Sequence, residues 1–168
     1  MELYYTVFQT AAGWISVVAS DKGLIKCSLP QIDKKKALSL PELSEDKAVL
    51  SRHRFADLEK RFIEYFNGIN ISFPDKPDIL VATPFQRAVW AATRLIPYGE
   101  TRSYKWIAEK VGSPKATRAV GSALGKNPLP VIIPCHRVIG SNGNLTGFTG
   151  GLDVKIKLLE LEGASTKQ

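Results

Sequence analysis

The sequence is poor in the residues that mark secreted, metal-bound or membrane-spanning proteins. Among 168 residues there are only two cysteines, Cys27 and Cys135, and their separation fits neither a disulfide framework nor paired zinc ligands. No apolar run approaches the length needed to span a membrane, and the amino terminus lacks a basic region followed by an apolar stretch. We therefore expect a soluble protein of a reduced, cytoplasmic compartment that does not engage membranes.

Positive charge is what the chain has in excess. Its formal net charge is +7 and its calculated isoelectric point is near 9.5, which favours an acidic partner such as nucleic acid or an anionic membrane, although solubility alone would also explain it. The block Asp33-Lys34-Lys35-Lys36 is predicted to be a solvated loop. Other basic residues cluster in the half that contains Cys135: Arg94, Arg102, Lys105, Lys110, Lys115, Arg118, Lys126 and Arg137. This clustering favours a functional basic surface.

The amino-terminal part of the chain is predicted to be a small antiparallel sheet covered by a helix. Residues 3–30 alternate between apolar and polar, with breaks at residues 11–13 and 21–23, which indicates a three-stranded meander. Apolar residues then recur at helical spacing until Gly68: Leu50, Phe55, Leu58, Phe62, Tyr65 and Phe66. The prolines of residues 69–82 indicate an extended connection, so we place a domain at 1–75, a linker at 76–82 and a second domain at 83–168.

The second domain is predicted to be mainly helical, which makes the fold class α+β. Capping residues and breaks indicate four helices, beginning at Pro84, Tyr104, Pro114 and Leu152. The second and third are joined by a short turn at Gly112-Ser113, which is the layout of a helix-turn-helix. An ordinary helical hairpin would give the same pattern.

Five consecutive residues, Pro134-Cys135-His136-Arg137-Val138, place a thiol beside an imidazole and a guanidinium. A cysteine is strongly nucleophilic only as the thiolate, which forms where positive charge or a proton acceptor lies close by. Cys135 is therefore a candidate nucleophile. The alternative is that Cys135 is a small buried apolar residue, which is the commonest situation of a free cysteine.

Further segments extend this motif along the chain. Arg118-Ala119-Val120-Gly121, Asn127-Pro128, Ile133 to Val138 and Gly147-Phe148-Thr149-Gly150-Gly151 follow one another in order. Together they resemble the O6-alkylguanine-DNA alkyltransferases, also called methylated-DNA:protein-cysteine methyltransferases, and the resemblance covers residues 83–163. It implies a winged helix-turn-helix-like second domain that carries the reactive cysteine, and a ribonuclease-H-like first domain.

The resemblance implies an irreversible reaction in which each protein molecule acts once. The thiolate of Cys135 corresponds to the group that attacks the alkyl carbon on guanine O6 and keeps it. His136 corresponds to the residue that removes the thiol proton through a water molecule, and Glu162 to the carboxylate that orients this histidine. Tyr104 corresponds to the proton donor to guanine N3, and Asn127 to the side chain that braces the cysteine-bearing turn.

The resemblance also implies how DNA and the damaged base are held. The nucleotide is flipped out of the duplex and Arg118 fills the space that it leaves. The implied base-binding residues are Val138, Leu145, Phe148 and Thr149. The implied DNA-contacting residues are Arg102, Lys115, Arg118, Ala119, Gly121, Ser122 and Arg137. We expect minor-groove binding to double-stranded DNA containing O6-alkylguanine, with little sequence specificity, by a monomer without a cofactor.

Glu162 should need a partner, because the helix dipole disfavours a carboxylate near a helix carboxyl end. We expect that partner among His136, Lys155 and Lys157.

At Phe148 the chain departs from the family, which often has tyrosine there. Some relatives bind zinc in the first domain, but only Cys27 and His53 are available for this, so we predict no metal.

Two other functions would use parts of the same pattern. A DNA-binding regulator could recognise alkylated bases without repairing them, although relatives of that kind lack the cysteine. A hydrolase or acyl transferase could use Cys135 and His136, and would release product repeatedly without a lasting mass gain on the protein.

Overall fold

The computed structural model describes residues 1–39, 47–148 and 150–164, and the chain divides into two compact units. The first unit comprises Met1–Leu80 with Pro128–Pro130, and the second comprises Val81–Asn127 with Val131–Gln168. The described residues contain six α-helices, a four-stranded sheet and a two-stranded sheet. The predicted α+β class is confirmed.

The sheet of the first unit begins as the predicted antiparallel meander. Strands β1 (Leu3–Thr10), β2 (Gly13–Ala19) and β3 (Leu24–Cys27) pair in sequence order. A fourth strand, β4 (Ala48–Leu50), pairs in parallel with β1 and makes the sheet mixed. The assignment of Leu50 to the following helix was therefore wrong, because a three-residue strand is too short to show alternation.

The lysine block after β3 is helical, which corrects the predicted loop. Helix α1 spans Lys34–Ser39, and the side chain of Asp33 accepts a hydrogen bond of 2.7 Å from the backbone of Lys36. The lysines are exposed while Ala37 is fully buried. The helix thus turns its one small apolar side chain inward and its charges outward.

Helix α2 (Ala56–Phe66) covers the sheet as predicted, after a 3-10 turn at His53–Phe55. The Phe62 ring is fully buried and its centroid lies 5.7 Å from that of Phe8 on β1. Residues 76–78, predicted as linker, hydrogen-bond to β3, with the Leu24 amide donating to Lys76 at 2.8 Å. A Cβ at Gly23 would collide with the Lys76 carbonyl, so this close approach requires glycine.

The second unit contains the remaining helices and the small sheet. In chain order its elements are α3 (Pro84–Thr93), β5 (Arg102–Ser103), α4 (Tyr104–Lys110), α5 (Thr117–Gly125), β6 (Val138–Ile139) and α6 (Leu152–Leu161). Helix α5 begins three residues later than predicted, because residues 113–116 form a turn in which the Ala116 amide donates to Ser113.

Local chemistry fixes the start of two of these helices. Thr83 and Gln86 form a capping box at α3, and the Ser103 hydroxyl accepts from Trp106 at the start of α4. Val89 of α3, Ile107 of α4 and Val120 of α5 are all fully buried and form the apolar centre of the unit. This core supports the α4-turn-α5 pair that the sequence indicated.

Candidate active site

Cys135 is held by a tightly constrained stretch of backbone. It opens a 3-10 turn, Cys135–Arg137, that leads directly into β6, and β6 is paired with β5. The turn follows an apolar segment, residues 131–133, that is almost fully buried. The amide of Cys135 donates to the Ile133 carbonyl at 2.7 Å. A short bonded turn that follows a buried segment gives the thiol a defined position.

The thiol of Cys135 lies next to the carboxamide of Asn127. Asn127 Nδ2 donates to Sγ at 3.1 Å and to the Ile133 carbonyl at 2.8 Å, so one side chain bonds both the thiol and the backbone that precedes it. Burial raises the pKa of the Cys135 thiol, while the bond from Asn127 opposes that rise. The resting group is therefore the protonated thiol, and the site needs a base to make the thiolate.

A buried ionic cluster stands beside this thiol in the chain. His136 Nε2 lies 2.6 Å from Glu162 Oε2, and both side chains are completely buried. Arg137 donates from Nε to Glu162 Oε1 at 2.8 Å and from Nη2 to Oε2 at 3.0 Å. The Gly99 amide adds a bond of 3.2 Å to Oε1. Glu162 caps the end of α6 and thus connects that helix to the cysteine turn.

These contacts decide the charges of the cluster. Burial would raise the pKa of Glu162, but the bonds from His136 and Arg137 hold it well below its ordinary value. Burial lowers the pKa of His136, although the bond from Glu162 acts in the opposite direction. At neutral pH the carboxylate is ionised and the imidazole is neutral, so His136 is able to accept a proton.

The thiol opens onto a cavity of about 550 Å³ between α4, α5 and the loop after β6. Its lining residues are Tyr104, Lys105, Thr117, Arg118, Gly121, Leu124, Gly125, Cys135, Ser141, Thr146, Gly147 and Phe148. Thr146 Oγ1 donates to the Tyr104 hydroxyl at 3.1 Å, which orients the phenol. The cavity brings together an aromatic hydroxyl, an arginine and the thiol.

Several known proteins similar to this chain belong to a single family. Residues 84–164 match a family model described as "6-O-methylguanine DNA methyltransferase, DNA binding domain". A methylated-DNA–protein-cysteine methyltransferase of Methanosarcina acetivorans is 42% identical over 165 residues, covering 96% of this chain and 99% of that protein. The chain belongs to the methylated-DNA–protein-cysteine methyltransferase family. Its members are DNA-repair proteins in which a cysteine accepts the alkyl group.

Other relatives agree over the whole chain. The constitutive methyltransferase of Bacillus subtilis is 40% identical, and the aligned region covers 98% of each protein. A Mycobacterium tuberculosis family member solved in complex with DNA superimposes with a TM-score of 0.79 at 37% identity, covering 95% of this chain and 92% of the other. The likeness therefore includes the first unit, where the sequence motifs are weakest.

The structure contradicts one predicted DNA contact of this methyltransferase. Arg137 is only 8% exposed, and its guanidinium is bonded to Glu162 and, from Nη1, to the Ile96 carbonyl at 2.8 Å. It is not on a surface that DNA can reach. Arg137 is instead a partner of Glu162 together with His136, whereas Lys155 bonds elsewhere and Lys157 is exposed.

The other predicted site residues occupy varied positions. Arg118, Lys115, Ala119 and Ser122 are exposed on or just before α5, while Arg102 pairs with Glu100 at 3.0 Å. Val138 is fully buried and Leu145 is half-buried. Thr149 lies outside the described residues. Within the described parts of the chain, no cluster of three or more His, Cys, Asp or Glu is arranged to hold a metal ion, and no helix is long and apolar enough to cross a membrane.

The sequence analysis named Lys155 only as a candidate partner of Glu162, and the structure gives it other contacts at the site. It is completely buried, and its ammonium donates to the Val138 carbonyl at 2.7 Å and to the Thr146 carbonyl at 3.0 Å. It also lies 5.8 Å from the centre of the Tyr104 ring. The available signal was its place on the apolar face of α6, beside Leu158 and Leu159. A lone lysine on such a face needs partners inside the protein.

The burial of Lys155 predicts a specific pH dependence of stability. Burial lowers its pKa from 10.5 to about 8. Between these values the unfolded chain binds a proton that the folded protein does not, so stability from this group rises with pH. We expect the unfolding free energy of the wild type, measured relative to Lys155→Met, to rise by about 1.4 kcal/mol per pH unit between pH 8 and 10.

Urea unfolding at several pH values measures this slope. Lys157→Met, which removes an exposed lysine on the same helix, is the matched control, and its stability should depend on pH as that of the wild type does. If the unfolding free energies of the wild type and Lys155→Met changed in parallel with pH, the lowered pKa of Lys155 would be contradicted.

Proposed function

We propose that the protein repairs O6-alkylguanine in double-stranded DNA by a single, irreversible transfer of the alkyl group to Cys135, after the nucleotide has flipped out of the helix. The observation that carries this proposal is the opening of the Cys135 thiol into a cavity that also contains Tyr104 and Arg118. The neighbouring His136, bonded to Glu162, supplies a neutral base. The relatives' name, methylated-DNA–protein-cysteine methyltransferase, describes the same transfer.

The reaction follows from the resting protonation states. His136 takes the proton of Cys135 through a water molecule, and Glu162 stabilises the imidazolium that forms. The thiolate attacks the alkyl carbon opposite O6, so that the new S–C bond forms as the C–O6 bond breaks and its electron pair passes to the purine. A proton from Tyr104 to N3 neutralises that charge. The thioether product has no good leaving group, so the protein is used once.

We propose that the cavity receives the purine base. Its volume of about 550 Å³ lies within the usual range of small-molecule sites. Phe148 supplies an aromatic face and Leu124 an apolar side chain to its lining. The Val138 carbonyl already accepts from Lys155, but a carbonyl oxygen has two lone pairs and can also accept from the exocyclic amine of guanine. The backbone of Thr149 remains our predicted donor to O6.

DNA is proposed to bind along α5. The exposed residues Ala119 and Ser122 and the half-buried Gly121 give that helix a surface of small side chains, which permits close approach to a minor groove. Arg118 is exposed and also lines the cavity, so it stands where a flipped base would enter. Every residue invoked belongs to one unit of one chain, and we propose that the monomer is active.

Titration of product against protein tests the single-use character of the reaction. A duplex with one O6-methylguanine is mixed in increasing excess with a fixed amount of protein, and the restored guanine is counted. We expect product to stop at one equivalent per protein molecule, because the thioether is permanent. A hydrolase or acyl transferase using the same residues would continue beyond one equivalent.

Substitution of Arg118 tests nucleotide flipping. We expect Arg118→Ala to slow repair of the methylated duplex by at least about tenfold, since flipping costs a few kcal/mol and Arg118 fills the vacated space. Reaction with free O6-benzylguanine should change less than about twofold, because the free base needs no flipping. Single-turnover rates at saturating substrate give both numbers. Lys157→Ala, which removes an exposed charge outside the proposed DNA-contacting residues, is the control, and equal losses on both substrates would contradict the role of Arg118.

A further inference from the structure

Arg137 is the least expected member of the buried cluster, because it follows His136 directly and yet turns inward. Three of its N–H groups are engaged: Nε and Nη2 with the two oxygens of Glu162, and Nη1 with the Ile96 carbonyl. Its guanidinium carbon lies 5.8 Å from the centre of the Tyr98 ring. A planar guanidinium on a carboxylate in this bidentate arrangement is a rigid, charge-assisted contact.

The bonds around Glu162 leave little of its charge for other groups. Oε1 accepts from Arg137 Nε and from the Gly99 amide, while Oε2 accepts from Arg137 Nη2 and lies against His136 Nε2. The four approaches match the four lone-pair positions of an ionised carboxylate. Glu162 and Arg137 together carry no net charge. A histidine beside this pair experiences much less attraction for a proton than one beside a lone buried carboxylate.

We propose that Arg137 is a positioning residue that neutralises Glu162 and so keeps His136 uncharged in the resting enzyme. This inference rests on the proposed function, in which His136 must be neutral to take the proton of Cys135. Because Nε2 faces the carboxylate, the neutral imidazole carries its proton on Nε2 and its lone pair on Nδ1.

Of the other charged groups around His136, Lys155 acts in the same direction as Arg137, and Glu162 acts against both. Among the described residues, Glu162, at the end of α6, is the charged group that favours the imidazolium. Lys155, about two turns earlier on α6, opposes the imidazolium, and so does Arg137, which lies in the same 3-10 turn as His136. Tyr98, in the loop after α3, faces Arg137 with its ring, and Cys135 is protonated at rest. Removal of Arg137 would therefore leave one unbalanced buried carboxylate next to His136.

The charge state of His136 is directly measurable, because the sequence contains only two histidines, His53 and His136. NMR of protein labelled with ¹³C at the histidine Cε1 gives two signals, and His53→Gln assigns them. In the wild type we expect His136 to stay neutral throughout pH 6–8. In Arg137→Met we expect its titration midpoint to rise by at least about one pH unit, whereas Arg137→Lys, which retains the charge, should lie between the two.

Alkyl-transfer rates should follow the same shift. We expect the rate of Arg137→Met at each pH to fall by the fraction of His136 that the NMR titration shows to be protonated at that pH, and to recover as the pH rises above that midpoint, because a base works only above its own pKa. A purely structural role would lower the rate by one factor at every pH and leave the NMR titration unchanged. That result would overturn the proposal.

The double substitution Arg137→Met with Glu162→Gln covers the case in which Arg137→Met does not fold. With both charges removed, His136 should remain neutral as in the wild type, and a raised midpoint would overturn the proposal. So would a wild-type His136 that is protonated at pH 7. If the titrations agree but the transfer rate does not follow them, the failure lies in the proposed role of His136 as base, and not in the charge balance assigned to Arg137.

Discussion

Replacement of Glu162 by glutamine is expected to lower the free energy of unfolding by about 3–5 kcal/mol at pH 7, because it leaves the buried guanidinium of Arg137 without its counter-charge. The carboxylate receives bonds from Arg137, His136 and Gly99, and glutamine keeps its size but can accept at only one atom. Transfer should also slow, since the imidazolium of His136 loses the group that stabilises it. Urea unfolding and single-turnover rates measure the two effects.

The difference in unfolding free energy between the wild type and Glu162→Gln should change with pH in one direction. The pKa of Glu162 in the folded protein is well below its ordinary value of 4.5, so its stabilising contribution is complete above that value and declines as pH falls below it. The gap between the wild type and Glu162→Gln should therefore shrink in acid. Glu160→Gln, at an exposed position of α6, should change stability by less than about 0.5 kcal/mol. Equal stability of the Glu160 and Glu162 variants would contradict the account.

Replacement of Cys135 by serine is expected to reduce alkyl transfer by at least about 10⁴-fold. A hydroxyl is far harder to ionise than a thiol, and the thiol here already needs His136 because burial raises its pKa. Binding to the methylated duplex should persist, because no DNA-contacting residue is altered. Rates and binding are measured on the same duplex.

Cys27→Ser is the matched control for this substitution. Cys27 is also buried, and its thiol contacts the Pro130 carbonyl within the first unit at 3.4 Å. We expect this variant to transfer the methyl group at close to the wild-type rate. Transfer that survives in Cys135→Ser and fails in Cys27→Ser would reverse the assignment of the acceptor.

Local signals were enough to predict most elements of the fold. The cap residues Thr83 and Ser103 marked the helix starts at Pro84 and Tyr104 correctly, because side-chain caps act on residues only two or three positions away. The three-stranded meander followed from alternation and turn residues. Strand β4 was missed because it is held by parallel pairing with β1, a contact between residues distant in sequence.

The candidate site was predictable in its residue types and less so in its electrostatics. The motif around Cys135 predicted the thiol and the imidazole. The position of Glu162 near a helix end predicted that this carboxylate would have a partner. Whether a charged side chain points inward depends on the elements that pack around it, and the sequence does not encode this locally. Arg137 was therefore assigned to DNA when it is bonded to Glu162, and Lys155 was considered as a partner of Glu162 when it is bonded to the Val138 carbonyl.

Mass spectrometry of the protein after reaction tests the central claim most directly. The wild type, Cys135→Ser and Cys27→Ser are each mixed with a duplex containing one O6-methylguanine, and the intact proteins and their peptides are weighed. We predict a gain of a single methyl group, located on Cys135, in the wild type and in Cys27→Ser, and no gain in Cys135→Ser. A methyl group on any other residue, or repaired DNA without a mass gain on the protein, would contradict the account.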